Sequence, residues 1–323
     1  MAGDQTQGKG ADMSHESPRV GDQARETAHP AGAHDHLTEP AAAAAAATAE
    51  IDAKQAAARG GVEIVEPLDE SGAALIAAAG DRVWGPRGTL AANELRALMH
   101  AGDPVHLARD LTRAGRPVVG FAVGFLGWSP CLHVHSHQVG VVDGERRRGI
   151  GYALKLAQRY TCLSHGITDM RWTFDPLVRR NVAFNLEVLG ARAASFHVAF
   201  YGAMDDAING GDASDRLEAV WSLGRALPSR PFVGPSNPPL PGADPVTLLV
   251  ERDGWPELTG DEPSSGAVLA VPADYETLRR QDPARSSAWR AASREVLQAA
   301  YGNGLRIGRL TDMGYQLVSD NEA

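Results

Sequence analysis

Large apolar residues are almost absent from the first sixty positions. Val20, Leu37 and Ile51 are the main ones in a background of Ala, Gly, Asp, Glu, Gln and His. Such a segment buries too little surface to offset its ordering entropy and is expected to be disordered. The run Ala41 to Ala47 favours helix by propensity, yet offers no large apolar face with which to dock. Order is expected from Gly61. Val62 to Val65 reads as a strand, then Ala73 to Ala79 and Ala92 to Met99 as helices, the second with Thr89 as a candidate cap. Pro104 to Arg109 and Pro117 to Leu126 read as strands around the turn Arg113 to Arg116, and Leu132 to Val142 as a longer strand. From Gly149 to about Ser164 the apolar positions Ile150, Ala153, Leu154 and Ala157 recur with helical spacing, leaving Lys155, Gln158 and Arg159 for the other side.

A strand at Thr168 to Phe174, a helix at Arg179 to Leu189 closed by Gly190, and strands at Ala194 to Tyr201 and Arg216 to Leu223 follow. Positions 228–245 hold seven prolines and read as a linker or long loop. Beyond them come strands near Thr247 to Val250 and Ala267 to Val271, a helix at Ser286 to Ala300, and two closing strands at Leu305 to Arg309 and Tyr315 to Val318. This order predicts an α/β (α+β) chain, with a mixed sheet flanked by helices.

Composition narrows the function. At 43% hydrophobic residues the chain can bury a sizeable core, and a net charge of −9 gives no electrostatic case for nucleic acid. Cys131 and Cys162 alone make neither a disulfide scaffold nor a zinc pattern. No apolar run approaches the ~20 residues of a membrane helix, and the first twenty positions lack the apolar core of a secretory signal. A cytoplasmic protein without a membrane partner is expected.

The chemistry concentrates between Leu132 and Lys155: a strand, a short basic turn with Arg146, Arg147, Arg148, Gly149 and Gly151, and a helix. Glycines before a helix leave backbone N–H groups uncovered where the helix dipole favours anions, which suits a phosphate or pyrophosphate. The competing reading is an ordinary glycine turn with solvated arginines. Neither the Walker loop nor the dinucleotide fingerprint is present.

Arg146-Arg147-Arg148-Gly149-Ile150-Gly151 resembles the R/Q-x-x-G-x-G/A motif of GNAT acyltransferases, and it lies between the fourth strand and the helix that follows, as in that family. The resemblance extends to Asn181, Leu189-Gly190 and the next strand, over about residues 61–225. Phe200-Tyr201-Gly202, Ser214-Asp215-Arg216 and Trp289-Arg290 look like a less studied branch of predicted GNAT proteins, some associated with N-succinylation of amino acids. The resemblance implies the GNAT fold: a largely antiparallel mixed sheet splayed between its fourth and fifth strands. It also implies an acyl-CoA cofactor, acetyl-CoA or succinyl-CoA. Its pyrophosphate would rest on the amides from Arg147 to Tyr152 (including Ile150), with Arg146 beside them. Its pantetheine arm would pair with Val141 and Val142. Asn181 would touch that arm, the alternative being a helix N-cap.

Amine acylation needs a base for the acceptor and donors for the oxyanion. Strand periodicity places His133, His135 and His137 on one face unless a bulge intervenes. By the family's spacing His137 is the first candidate base, with His135 beside it. The tyrosine that many GNAT enzymes use to protonate the thiolate falls at Leu186 here, so Tyr201 is the substitute candidate acid. Trp84 and Trp172 are candidate walls of an acceptor pocket. Arg171, Arg179, Arg180 and Arg216 are candidate carboxylate binders, for an amino-acid acceptor or a dicarboxylic acyl group. The expected partner is a small-molecule amine. The region 226–323 is expected to pack on the core and help close the acceptor site or form a homodimer. Two rival readings remain: a coenzyme A sensor without turnover, and a metallohydrolase using the His-x-His pattern.

Overall fold

The alternating apolar positions build a seven-stranded sheet in the computed structural model, which describes residues 38–86, 88–145, 148–202, 213–228 and 245–320. Its strands are β1 (Val62–Val65), β2 (Val105–Asp110), β3 (Val118–Gly127), β4 (His133–Val141), β5 (Asp169–Phe174), β6 (Arg192–His197) and β7 (Arg216–Ser222), in the spatial order β1-β2-β3-β4-β5-β7-β6. Only the β4–β5 pairing is parallel. One face of β2 and β3 is covered by α2 (Glu70–Trp84) and α3 (Ala92–Ala101), which close a cluster around Ile76, Leu95, Leu107 and Phe121. The opposite face is covered by α4 (Ile150–Ser164), whose Ile150 and Leu154 pack on Val119 and Ala122.

The expectation of disorder through residue 60 fails over its last third. Glu39–Gly60 is a helix, α1, whose Ala49 and Ala56 are 0% and 3% exposed. Alanine's small side chain is the reason: it lets two helix backbones approach closely without a stripe of large residues. Residues 1–37 lie outside the described set. The polar side read for α4 is overturned as well. Lys155, Gln158 and Arg159 are all buried. Arg159 donates to Asp52 of α1 at 2.9 Å and to the carbonyls of Leu223 and Arg225, while Gln158 and Lys155 bond Ser136 of β4.

Other corrections are local. Thr89 does not cap α3: Glu94 accepts from the Ala91 amide at 2.8 Å, and Thr89 donates to Gln138 instead. The helix α5 (Arg179–Val182) widens into a π-helical stretch over Ala183–Val188. Asn181 lies inside α5, where the N-cap position belongs to Val178, so the N-cap reading of Asn181 falls. Tyr201 lies in the turn beyond β6 rather than on the strand. Most of the proline-rich passage falls outside the described residues.

A second, five-stranded sheet follows in the order β11-β12-β10-β8-β9. It comprises β8 (Thr247–Arg252), β9 (Trp255–Leu258), β10 (Val268–Leu269), β11 (Leu305–Thr311) and β12 (Gly314–Ser319). Two helices accompany it, α6 (Tyr275–Gln281) and α7 (Pro283–Gly302). The sequence reading missed β9 and α6. The tight β8–β9 turn uses Asp253 and Gly254, both at positive φ, and Asp274 caps α6 through the Thr277 amide. Its side chains share one buried cluster with the first sheet, joining Leu269, Trp289 and Leu317 to Trp172, Leu177 and Leu217.

Candidate functional site

β4 pairs with β3 along its whole length but with β5 only at Val134↔Met170 and His135↔Arg171. Beyond that point the two strands part, and residues 136–141 of β4 present a free edge of about 20 Å at ~3.3 Å per residue. At the open end of this fork the chain turns through Val142, whose amide donates to Val119, and enters α4. Gly149 occupies the N-cap position of α4 at φ 78°, no side chain caps the helix, and its first turn carries no acidic residue. A Cβ at Gly149 would meet nothing within 4 Å, and one at Gly151 only Val141 at 3.7 Å. The first intrahelical bond runs from Ala153 to Gly149, so the amides of Ile150, Gly151 and Tyr152 are left as orphan donors. This is an open cradle for an anion.

Arg148 does not join that cradle. Its guanidinium donates to Asp110 and Glu145, and to the Gly60 carbonyl at the end of α1. The paired carboxylates raise its pKa further, and Arg148 and Thr112 hold the Asp110 carboxyl far below the usual range. Arg148 therefore ties the glycine turn to β2 and α1. Arg146 and Arg147 lie outside the described residues.

A bulge divides β4. Val123 pairs with Gln138 and Phe125 with His135, so Gly124 faces two residues, Ser136 and His137. Val134 and Ser136 face α4 before the bulge, and Val139 and Val141 after it. His133, His135, His137 and Gln138 consequently share the opposite face. His133 is buried, its Nδ1 2.8 Å from the Cys131 carbonyl oxygen. His135 stacks on Phe125, and His137 packs on the same ring, with 6.1 Å between the two imidazoles. Burial lowers both pKa values. With the added repulsion of His137 and His133, that of His135 falls to about 4. Both rings are thus neutral proton acceptors at neutral pH. Gln138, which the sequence reading passed over, accepts from Thr89 at 2.6 Å and donates to the Gly88 carbonyl at 3.0 Å, fixing the α2–α3 loop beside the histidines. Trp84 reaches the same side: a Cβ at Gly140 would lie 3.1 Å from its ring.

Trp172 does not face Trp84. It points to the α4 side of β5, where the Lys155 Nζ stands 3.5 Å above its ring. The two tryptophans therefore do not wall one pocket. On the histidine side β5 shows Arg171 and Thr173, and β7 shows Glu218 opposite Thr173. Burial pushes the Glu218 carboxyl up, but bonds from His197 and Ser195 and the charge of Arg171 outweigh it and hold it at about 2. Tyr201 meets Thr173 at 2.9 Å between hydroxyls. Arg216 is buried, with its guanidinium 5.5 Å from the Tyr201 ring and its Nη1 donating to the Asp215 carbonyl. Asn181, half-buried in α5, and Leu186 in the π-helical stretch complete the predicted set. Arg180 reaches Glu276 of α6, and Arg179 the Thr311 carbonyl of β11, so neither faces the histidines. Among the described residues no group of three or more His, Cys, Asp or Glu is placed to hold a metal ion.

The strand order, the single parallel pair and the fork over an uncapped glycine turn decide the architecture. The fold is that of the GNAT acyltransferases. Three solved structures are similar to this chain. Naa50 of Arabidopsis thaliana, in complex with a bisubstrate analogue, is 15% identical with a TM-score of 0.41, over 50% of this chain and 99% of that one. The ribosomal-protein-S18-alanine N-acetyltransferase of Escherichia coli is 13% identical with a TM-score of 0.40, over 53% and 99%. Ard1 of Thermoplasma volcanium is 15% identical with a TM-score of 0.38, over 53% and 99%. No family model and no curated protein matches the chain. Among the described residues no helix is long and apolar enough to cross a membrane.

Proposed function

We propose that this chain is an N-acyltransferase that moves an acyl group from acyl-CoA to the amine of a small molecule, amino acids included. The observation that carries the reading is the fork. A free β4 edge leads from an uncapped, unfilled helix N-terminus to two neutral histidines where the strands close. When bound, acyl-CoA supplies a thioester carbonyl activated toward amines. The amides of Ile150, Gly151 and Tyr152 hold the diphosphate, and Val141 and Val142 align the arm along the strand. His137 takes the proton of the acceptor ammonium, and the neighbouring His135 passes it toward solvent. Phe125 packs on both imidazoles and shields them from bulk water on that side. Tyr201, held by Thr173, is the proton donor on the β5 side, where Leu186 cannot serve.

Isothermal titration with coenzyme A tests the anion cradle. The native chain binds, and Gly149→Glu loses binding because its carboxylate occupies the cradle. Gly149→Ala brings the same backbone strain without the charge and still binds. Equal affinity in the glutamate variant would remove the assignment. The absence of the customary tyrosine favours one second reading, a coenzyme A sensor. Thiol release with acetyl-CoA and a panel of amines separates the two, since a sensor binds and never turns over.

A further inference from the structure

The turn that carries the anion cradle is held from behind by α1, a helix that the proposed reaction leaves unused. The last residue of α1, Gly60, rests on that turn. A Cβ there would stand 3.3 Å from the Arg148 carbonyl oxygen and 3.9 Å from the Ile150 side chain. Arg148 closes the contact. Its Nη2 donates to the Gly60 carbonyl at 2.9 Å and to Asp110 of β2 at 3.2 Å, and its Nη1 donates to Asp110 at 2.8 Å. Glu145, just before the turn, accepts from Arg148 at 2.6 Å and from Arg113 at 2.7 Å. One planar guanidinium therefore joins α1, β2 and the turn, a fork of donors that a lysine ammonium does not reproduce. The charges balance as well, with Arg148 and Arg113 set against Asp110 and Glu145. A diphosphate above the turn then meets no uncompensated carboxylate. Ile150, whose amide is the first orphan donor of the cradle, lies two residues beyond Arg148.

We infer that Arg148 is a positioning residue for the cofactor and that through it α1 is part of the cofactor site. A diphosphate on the amides of Ile150, Gly151 and Tyr152 orders the turn on which Gly60 rests, so α1 docks at a smaller entropic cost. A docked α1 in turn holds those amides in place for the anion. The two effects are one coupling free energy, because linkage is reciprocal. The inference rests on the acyl-CoA reading above.

Hydrogen exchange and calorimetric titration with coenzyme A test it. In the native chain, saturating coenzyme A should slow amide exchange across residues 50–60 roughly 5- to 150-fold, the usual range of coupling between two sites. That segment supplies none of the cradle's amides. In Arg148→Lys, which keeps the charge and loses the fork, coenzyme A should bind more weakly by a similar factor, and exchange in α1 should no longer respond to it. Ala56→Glu, which places a carboxylate in the buried face of α1, should weaken binding likewise. Exchange in α1 that ignores bound coenzyme A would overturn the inference and leave the acyl-CoA reading intact. So would an Arg148→Lys chain that is less stable yet binds coenzyme A as the native chain does. Failure of the native chain to bind coenzyme A would overturn both. Should the variants not fold, exchange in the native chain decides.

Discussion

His137 and His135 share the Phe125 ring, yet only one is crowded by like charge. His135 lies between His133 and His137, near Lys155, and its pKa falls to about 4. His137 is lowered by burial alone, without the like-charge repulsion that acts on His135. Replacing it by alanine should cut turnover by about 10²–10⁴-fold while sparing coenzyme A binding, as expected for loss of a general base. The sign with pH follows from the direction of the shifts. Both rings are neutral and competent above their lowered values, so activity falls as the pH drops from 6.5 toward 4. A pH–rate profile checks this: the inflection below 6.5 should change in His137→Ala, and an unaltered profile would clear the residue of the role. The histidines were legible in the sequence because three alternate positions on one strand announce a shared face. Lys155 was not, because its burial depends on how α4 packs on β4 and β5.

At the scale of elements, the first helix was hidden for the same reason. An alanine helix carries no apolar stripe, and burial of Ala49 and Ala56 is visible only once α4 stands opposite. Its docking supplies Asp52 to Arg159, whose side chain is 3% exposed, and the Gly60 carbonyl to Arg148. Removing residues 1–60 takes one partner from each arginine and leaves Arg159 without its carboxylate. Loss of one member of a buried pair costs ~3–5 kcal/mol, which lowers the melting temperature by roughly 5–15 °C. Thermal melts of the shortened chain check this, and Ala56→Glu should produce a shift in the same direction. Other elements carried signals that could have been read. Asp253-Gly254 is a hairpin dipeptide, and both residues adopt the positive φ that such turns require. The π-helical stretch after Val182 carried none: its wider turn shifts the facing of every residue after it, Leu186 included.

Across the whole molecule the second sheet is bound to the first through a buried charge. Asp175, at the end of β5, accepts two bonds from Arg290 of α7 at 2.8 and 2.7 Å, with Arg279 of α6 3.7 Å away. Burial pushes the carboxyl up, but Arg290 prevails and keeps it ionised. Asp175 also accepts from the Leu177 amide at 2.9 Å, at the turn into the helix of Asn181. Asp175→Asn leaves Arg290 buried without its counter-ion and should destabilise the chain by about 3–5 kcal/mol. Denaturant unfolding measures the loss. A change under ~1 kcal/mol would mean that water or a neighbouring group serves Arg290 instead. Arg216, a candidate carboxylate binder in the sequence, stands close enough to this cluster to feel the charges of Asp175, Arg290 and Arg279.

The local pattern of the chain determined the strands of the first sheet, the helix behind the glycine turn and the candidate histidines. Each depends on periodicity or on backbone freedom within a few residues. Tertiary structure alone decided where β4 and β5 part, that a bulge brings Gln138 onto the face of His137, that Arg148 turns inward, and that Lys155 is closed in at the apex. Those outcomes depend on which surfaces meet, and residues far apart in the chain meet only when the layers close.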